Sequence, residues 1–336
     1  MLQRISRVLI AVGLIAAAAS LWAHSPQSPE AVKSSGPAGL RRTLVLVTKS
    51  ASSTPRCSNP AMTRAMFTGA NSVSAYYAAN SYGQVSLSGD VAGPFSVTVG
   101  ETCRRAEWAT QADAAATATG VNLAGYDFRL YINPPEADKL CPVRGWSDAR
   151  RAVFWVNNDV CDSPHYIAHE VGHIFGENHA STGSDAYGDA SSIMGGNADF
   201  PQNFDLINTS PHFNAPGLIT VGWLPANRVQ TVTQSGSYKV AFLAVASTEF
   251  QALKIGNAQA PGDFYFSYRR AVGFDSTLRP AYLDNTSVHR WSGIKSDSTY
   301  LLANIGDGQS WSDPSVTVTQ TAHDATYAYL TVSFRK

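Results

Sequence analysis

Apolar positions repeat in two ways along this chain. Strand-like runs and helical spacings interleave over roughly the first two thirds, and only short alternating runs follow. Arg41-Arg42-Thr43-Leu44-Val45-Leu46-Val47-Thr48 is a short β-branched run and predicts a buried strand. From Met62 to Ala79 the apolar residues have helical spacing, with Met66, Val73, Tyr76 and Tyr77 on one inner face. Tyr82 to Val91 alternates like an edge strand opened by a turn. Glu107 to Thr119 is Ala-rich and predicts a helix. Phe128 to Ile132 and Val153 to Val156 read as two further strands. Ser163-Pro164 then opens another helix. Ser is a favoured cap, and Pro suits the first helical position, where its missing N–H would have no partner. This order fits a mixed sheet with that last helix beneath it.

The character changes after Pro225. Val229–Val232, Tyr238–Ala246, Phe250–Ile255, Phe264–Arg269, Tyr300–Asn304, Ser315–Thr319 and Thr326–Phe334 are short alternating runs separated by Gly, Pro, Asp and Asn. They predict an all-β sandwich over residues 226–336. The expected fold class is α+β, with a mixed-sheet domain over residues 41–225 ahead of the sandwich. No internal repeat of fixed period is visible.

Composition narrows the picture. The 336 residues carry no net charge, and only 15% of them are charged. There is no basic stripe of the kind nucleic-acid binding needs. Arg4 and Arg7 precede an apolar run from Val8 to Ala19, and small residues follow. This is the layout of a secretory signal peptide over residues 1–23, with a core too short to span a bilayer well. Residues 24–40, rich in Ser, Pro, Ala and Gly, read as a leader or linker. A secreted protein with no membrane span in its mature chain is expected. Cys57, Cys103, Cys141 and Cys161 are an even set, and in an exported chain they favour two disulfides. Three pairings are possible. Proximity along the chain favours Cys57 with Cys103 and Cys141 with Cys161. Thr54 to Pro60 partly echoes a cysteine switch, but a disulfide at Cys57 is the expectation.

The chemistry is concentrated between His169 and His179, which reads H-E-V-G-H-I-F-G-E-N-H. Residues four apart share a helix face, so His169 and His173 can point at one metal ion. Glu170 stands one step round the helix, beside the metal rather than on it. Gly176 lets the chain leave the helix with positive φ, and His179 then supplies a third nitrogen. Three neutral imidazoles leave one position of a tetrahedral Zn2+ open for water. Glu170 is in place as general base. The run fits H-E-x-x-H-x-x-G-x-x-H, the extended zinc signature of the metzincin peptidases.

Ser192-Ile193-Met194-Gly195-Gly196 follows and resembles the methionine turn of that clan. Met194 is expected as a soft floor beneath the imidazoles, not as a ligand. No Tyr stands two residues after it, so a fifth tyrosine ligand is not expected. His165 lies on the same helical face as His169 but lacks the following Glu and Gly-x-x-His; it reads as a surface or capping residue. His212, His289 and His323 are isolated, each read as structural or exposed.

From about residue 41 to 334 the chain resembles the gametolysin-type zinc metallopeptidases, a branch of the metzincins. The likeness rests on Arg42 to Val47, Tyr77 and Ser81 to Gly89, and the zinc run with Ala180. It rests also on Tyr187-Gly188-Asp189-Ala190-Ser191-Ser192-Ile193-Met194-Gly195, and on Phe213-Asn214-Ala215-Pro216 leading to Gly222-Trp223-Leu224. Phe266 to Arg269 and Val272 to Asp275 look like the family's C-terminal β region. The resemblance implies a secreted endopeptidase acting on extracellular or cell-wall proteins, with one catalytic zinc and a protein or peptide substrate. A monomer is expected. The alternative is a zinc-containing adhesin built on a retired peptidase domain. An intact Glu170 argues against it, because a pure binding protein has no use for a general base.

Overall fold

The structure is a computed structural model describing residues 38–195, 210–257 and 259–335. The expected signal peptide, and the leader up to residue 37, lie outside the described residues. In chain order the first half holds β1 (Gly39–Lys49), α1 (Asn59–Thr63), a π turn (Arg64–Thr68), α2 (Val73–Asn80), β2 (Val85–Ser96), α3 (Arg105–Ala118), β3 (Phe128–Ile132), α4 (Ala137–Leu140), β4 (Gly145–Asp148), β5 (Val153–Val156) and α5 (Pro164–Phe175). Then come β6 (Ala180–Ser181) and α6 (Ala215–Thr220), followed by β7 (Val229–Thr231), β8 (Gly236–Ala241), β9 (Ala252–Ile255), β10 (Asp263–Tyr268), β11 (Thr286–Trp291), β12 (Thr299–Ile305), β13 (Ser310–Ser312), β14 (Val316–His323) and β15 (Tyr327–Phe334). The fold is mixed α+β.

The first sheet has the order β2-β1-β3-β5-β4. Its first four strands are parallel, and β4 runs antiparallel at the edge. A parallel sheet is covered on both faces, so its central strand is apolar throughout rather than alternating. Strand β1 follows that rule. Leu44 and Leu46 pack on one face with Ala112 and Ala116 of α3. Val45 and Val47 pack on the other with Ile167, Val171 and Phe175 of α5. This second face holds the helix that carries His169 and His173.

The helix expected from Met62 to Ala79 is broken in two. The N–H of Gly69 reaches back five residues to the Arg64 carbonyl, closing a π turn. Ser72 then caps α2 by accepting from the Ala75 N–H at 3.2 Å. Met66, Val73, Tyr76 and Tyr77 are all buried regardless, so the inner face survives the break.

In the second half, one sheet has the order β6-β12-β11-β10-β9-β7 and another β13-β14-β15-β8. Both contribute to one core: Leu253, Phe266 and Val288 from the first sheet, Val240, Val318 and Leu330 from the second. Strand β11 breaks the expected pattern, because Thr286, Ser287 and His289 are polar yet fully buried. The two halves are joined through backbone. Residues Ala180 and Ser181, immediately after His179, pair in parallel with Thr299 and Tyr300.

The cysteines form Cys57–Cys161 and Cys103–Cys141. The pairing expected from proximity along the chain is therefore wrong. All four residues follow the carboxyl ends of parallel strands: Cys57 after β1, Cys103 after β2, Cys141 after β3, Cys161 after β5. Each bond joins loops that follow strands two apart in the sheet, β1 with β5 and β2 with β3, so neither order in sequence nor strand adjacency foretells the pairing. Cys57 is bonded, as expected, and the described residues include no free cysteine. No described helix is long and apolar enough to cross a membrane.

Candidate metal centre

Helix α5 buries Ile167, Ala168, Val171, Ile174 and Phe175 against the sheet, which turns His169 and His173 toward one side. It begins at Pro164 and stops at Gly176, whose φ of 101° is left-handed. The N–H groups of Gly176 and Glu177 both bond the Gly172 carbonyl, so the helix end is closed before the chain turns. That turn brings His179 back. The three rings stand 4.9 to 5.6 Å apart, and one ring nitrogen of each lies within 4.8 Å of the others.

The donor set suits a zinc ion. Nδ1 of His169 bonds the Ile193 carbonyl, and Nδ1 of His173 bonds the Glu177 carbonyl, each at 2.8 Å. A carbonyl can only accept, so each Nδ1 carries the proton and each Nε2 keeps its lone pair for a metal. Burial pushes all three imidazoles below the ordinary histidine range, His169 furthest and His179 to about 4. They are neutral, as metal ligands must be. His179 is held by its own N–H, which donates to Asn178 Oδ1 at 2.7 Å, and its ring lies 4.1 Å from that of Tyr187.

Glu170 is buried beside the triad. Edge strand β4 passes directly over it: a Cβ placed on Gly145 would lie 2.1 Å from Glu170 Oε1. The Ser147 hydroxyl makes a short hydrogen bond to Glu170 Oε2. Burial raises the Glu170 carboxyl to about 7, against the opposing pull of that hydrogen bond and of the Arg105 charge. A carboxyl there can both take and give a proton near neutral pH.

Met194 is 1% exposed, and its sulfur meets α5 at Gly172, between the two helical histidines. A Cβ on Gly172 would stand 2.4 Å from that sulfur. Gly172→Ala should therefore displace Met194 and cost about 1–3 kcal/mol, the usual range for overpacking. Urea unfolding of the variant beside wild type checks this; an unchanged midpoint would show that the sulfur is free to move.

The segment from His179 to Met194 is held from behind by the second half of the chain. The Ala180 N–H bonds the Met194 carbonyl at 2.9 Å. Asp189 is fully buried, and its carboxylate meets His289 Nε2 at 3.0 Å, Asn214 Nδ2 at 3.1 Å and the Ser191 hydroxyl at 2.6 Å. Burial alone would raise Asp189; these hydrogen bonds outweigh it and hold the carboxyl at about 2. Beside it Arg269 and Asp275 form an ion pair at 2.6 Å with both side chains 0% exposed. Arg269 also donates to the Ser191 carbonyl, and Asp275 accepts from the His212 N–H, each at 3.0 Å.

The structure thus brings His169, His173, His179 and Glu170 together and sets Met194 against their helix. Ser147, Tyr187 and the residues behind the turn were not given roles from sequence. Tyr187, Asp189, Arg269 and Asp275 all fall within stretches that carry the family resemblance, and that was their only signal. His165 departs from expectation. It is 5% exposed rather than at the surface, because the start of α5 is covered, and burial lowers it to about 4. His212 and His289 are buried and structural, and His323 pairs with Asp307.

Known proteins are similar to this chain. The chain is 29% identical over 220 residues to the autolysin of Chlamydomonas reinhardtii. The match covers 51% of this chain and 32% of autolysin, so the chain spans about a third of that relative's length. A solved structure of a zinc-dependent peptidase from Methanocorpusculum labreanum is similar at 16% identity with a TM-score of 0.32, over 53% of this chain and 99% of that one. A model of the gametolysin peptidase M11 family matches residues 46–305, most of the chain. The chain belongs to the gametolysin peptidase M11 family of metallopeptidases.

Proposed function

We propose that this chain is a secreted zinc-dependent endopeptidase of the metzincin kind that hydrolyses extracellular or cell-wall proteins. The observation that carries this is the meeting of three neutral imidazoles with a buried carboxyl that titrates near 7. His169, His173 and His179 would hold one zinc ion through Nε2 of the first two and a ring nitrogen of the third. When bound, zinc polarises the scissile carbonyl and lowers the pKa of water. Glu170 takes the proton of the attacking water and passes it to the leaving amine. Ser147 keeps that carboxylate turned toward the reaction. Strand β4 is the edge of its sheet and runs over Glu170, so an extended peptide can add to it as a further strand. Met194 serves as the floor of the site.

Residues 41–225 are then the metzincin-type catalytic domain and residues 226–336 a β-sandwich that braces it. The two disulfides and the N-terminal sequence pattern support export.

Removal of metal tests the reading. Dialysis against a strong chelator should abolish cleavage of a peptide library, and added zinc should restore it. Full activity of protein shown by elemental analysis to hold no metal would overturn the proposal.

A further inference from the structure

The loop after β11, residues 292–298, folds onto the turn that carries the third histidine. Asn178 Nδ2 donates to the Ser296 carbonyl, and the Thr299 N–H donates to the His179 carbonyl. The Lys295 side chain lies against Gly176. Between this loop and β12 is a cavity of about 330 Å³, walled by Asn178, Arg290, Trp291, Asp297 and Tyr300. The peptidase mechanism uses none of these residues.

Arg290 is the feature that points to a ligand. Its guanidinium carbon lies over the Tyr300 ring, 5.5 Å from the centre. None of the ion pairs formed among the described residues includes it. Asp297, the acid of the same cavity, sits on the exposed loop and accepts the Ser292 hydroxyl at 2.7 Å. A half-buried guanidinium with an aromatic ring for a neighbour and no acid paired to it among the described residues has N–H groups to offer a planar acceptor, and a carboxylate matches it in both charge and geometry. Ser296 and Ser298 also line the cavity.

The position suggests which carboxylate. Asn178 is a wall of the cavity and the neighbour of His179, and Tyr300 pairs with Ser181 just beyond. An extended peptide advances about 3.3–3.6 Å per residue. A substrate that leaves the triad on the Asn178 side would meet this cavity within a few residues of the bond being cut. We propose that the cavity at Arg290 is a specificity subsite that takes an Asp or Glu side chain of the substrate. This inference rests on the peptidase reading above.

The test uses pairs of peptides that differ only by Glu or Gln at one position, scanned over four residues on each side of the scissile bond. Wild-type protein with zinc should prefer Glu at one position by about 10-fold to 100-fold in kcat/KM, the range of a charge-assisted hydrogen bond. The preference should lie mainly in KM. In Arg290→Gln the Glu/Gln ratio at that position should fall to about one, and Arg290→Lys should keep part of it. Arg290→Glu should reverse it, with Gln preferred over Glu. Reading the ratio within each variant removes any general loss of activity or folding. Cleavage by wild type with no acidic preference at any position overturns this proposal and leaves the peptidase reading intact. So does a preference that Arg290→Gln retains. Failure of wild type to cleave any of the peptides overturns both.

Discussion

Glu170→Ala should lose catalysis while keeping its metal and its fold. Glu170 is not among the three nitrogens that meet, and its burial at the edge of the helix does not support the sheet contacts of Ile167 and Val171. The substitution removes the one group placed to move a proton, an effect typically worth roughly 10²-fold to 10⁴-fold in rate. His173→Ala should behave differently. It removes a ligand and the bond from Nδ1 to the Glu177 carbonyl, so zinc content and thermal stability should both drop. Zinc content, melting temperature and turnover measured on both variants separate the two roles. A Glu170→Ala protein that binds zinc and cleaves at the wild-type rate would show that the mechanism is wrong. A wild type that cleaves nothing across a broad peptide library would favour the binding-protein reading instead.

Asp275→Ala should be among the most destabilising single changes in the chain. Asp275 neutralises a guanidinium that is 0% exposed and accepts the N–H of His212. Removing it strands a buried positive charge, which costs about 3–5 kcal/mol. Much of that penalty is the orphaned charge rather than the worth of the pair. The double variant Arg269→Met with Asp275→Leu should therefore be more stable than Asp275→Ala alone, even though the Ser191 carbonyl loses a donor. Zinc affinity should fall with stability in the single variant. Arg269 holds Ser191, and two residues on, Ile193 orients His169 through its carbonyl. Urea unfolding of the metal-free proteins, with zinc affinity measured separately, decides it. A loss below about 1 kcal/mol for Asp275→Ala would mean that solvent reaches the pair.

The legible parts of this molecule are those written in local spacing. His169, His173 and Gly176 announce themselves because a helix and its left-handed stop impose fixed intervals. Strand β1 does so because a parallel strand buried on both faces must be apolar throughout. What could not be read depends on partners far along the chain. Strand β4 is only four residues long and carries Gly145, Ser147 and Asp148, with no apolar alternation, yet it sets Ser147 on Glu170. Strand β11 hides behind Thr286, Ser287 and His289 because buried polar residues look like surface until their partners are known. The disulfides failed for the same reason: Cys57 meets Cys161 across 104 residues of sequence. Ser72 and Gly69 did carry the signals that split the expected helix, a cap and a breaker, but the apolar face ran through them uninterrupted.

The bond between Asp189 and His289 spans 100 residues. It sets an order of events on the chain as it is made. The three histidines of the proposed zinc site and the proposed base Glu170 have all been synthesised once His179 emerges. The residues that fix their neighbouring turn, Arg269, Asp275, His289 and Thr299, arrive about a hundred residues later. Contacts between such distant residues form slowly, since the loop between them must be closed first. A nascent chain therefore holds the parts of the proposed hydrolytic centre well before it holds the scaffold that aligns them.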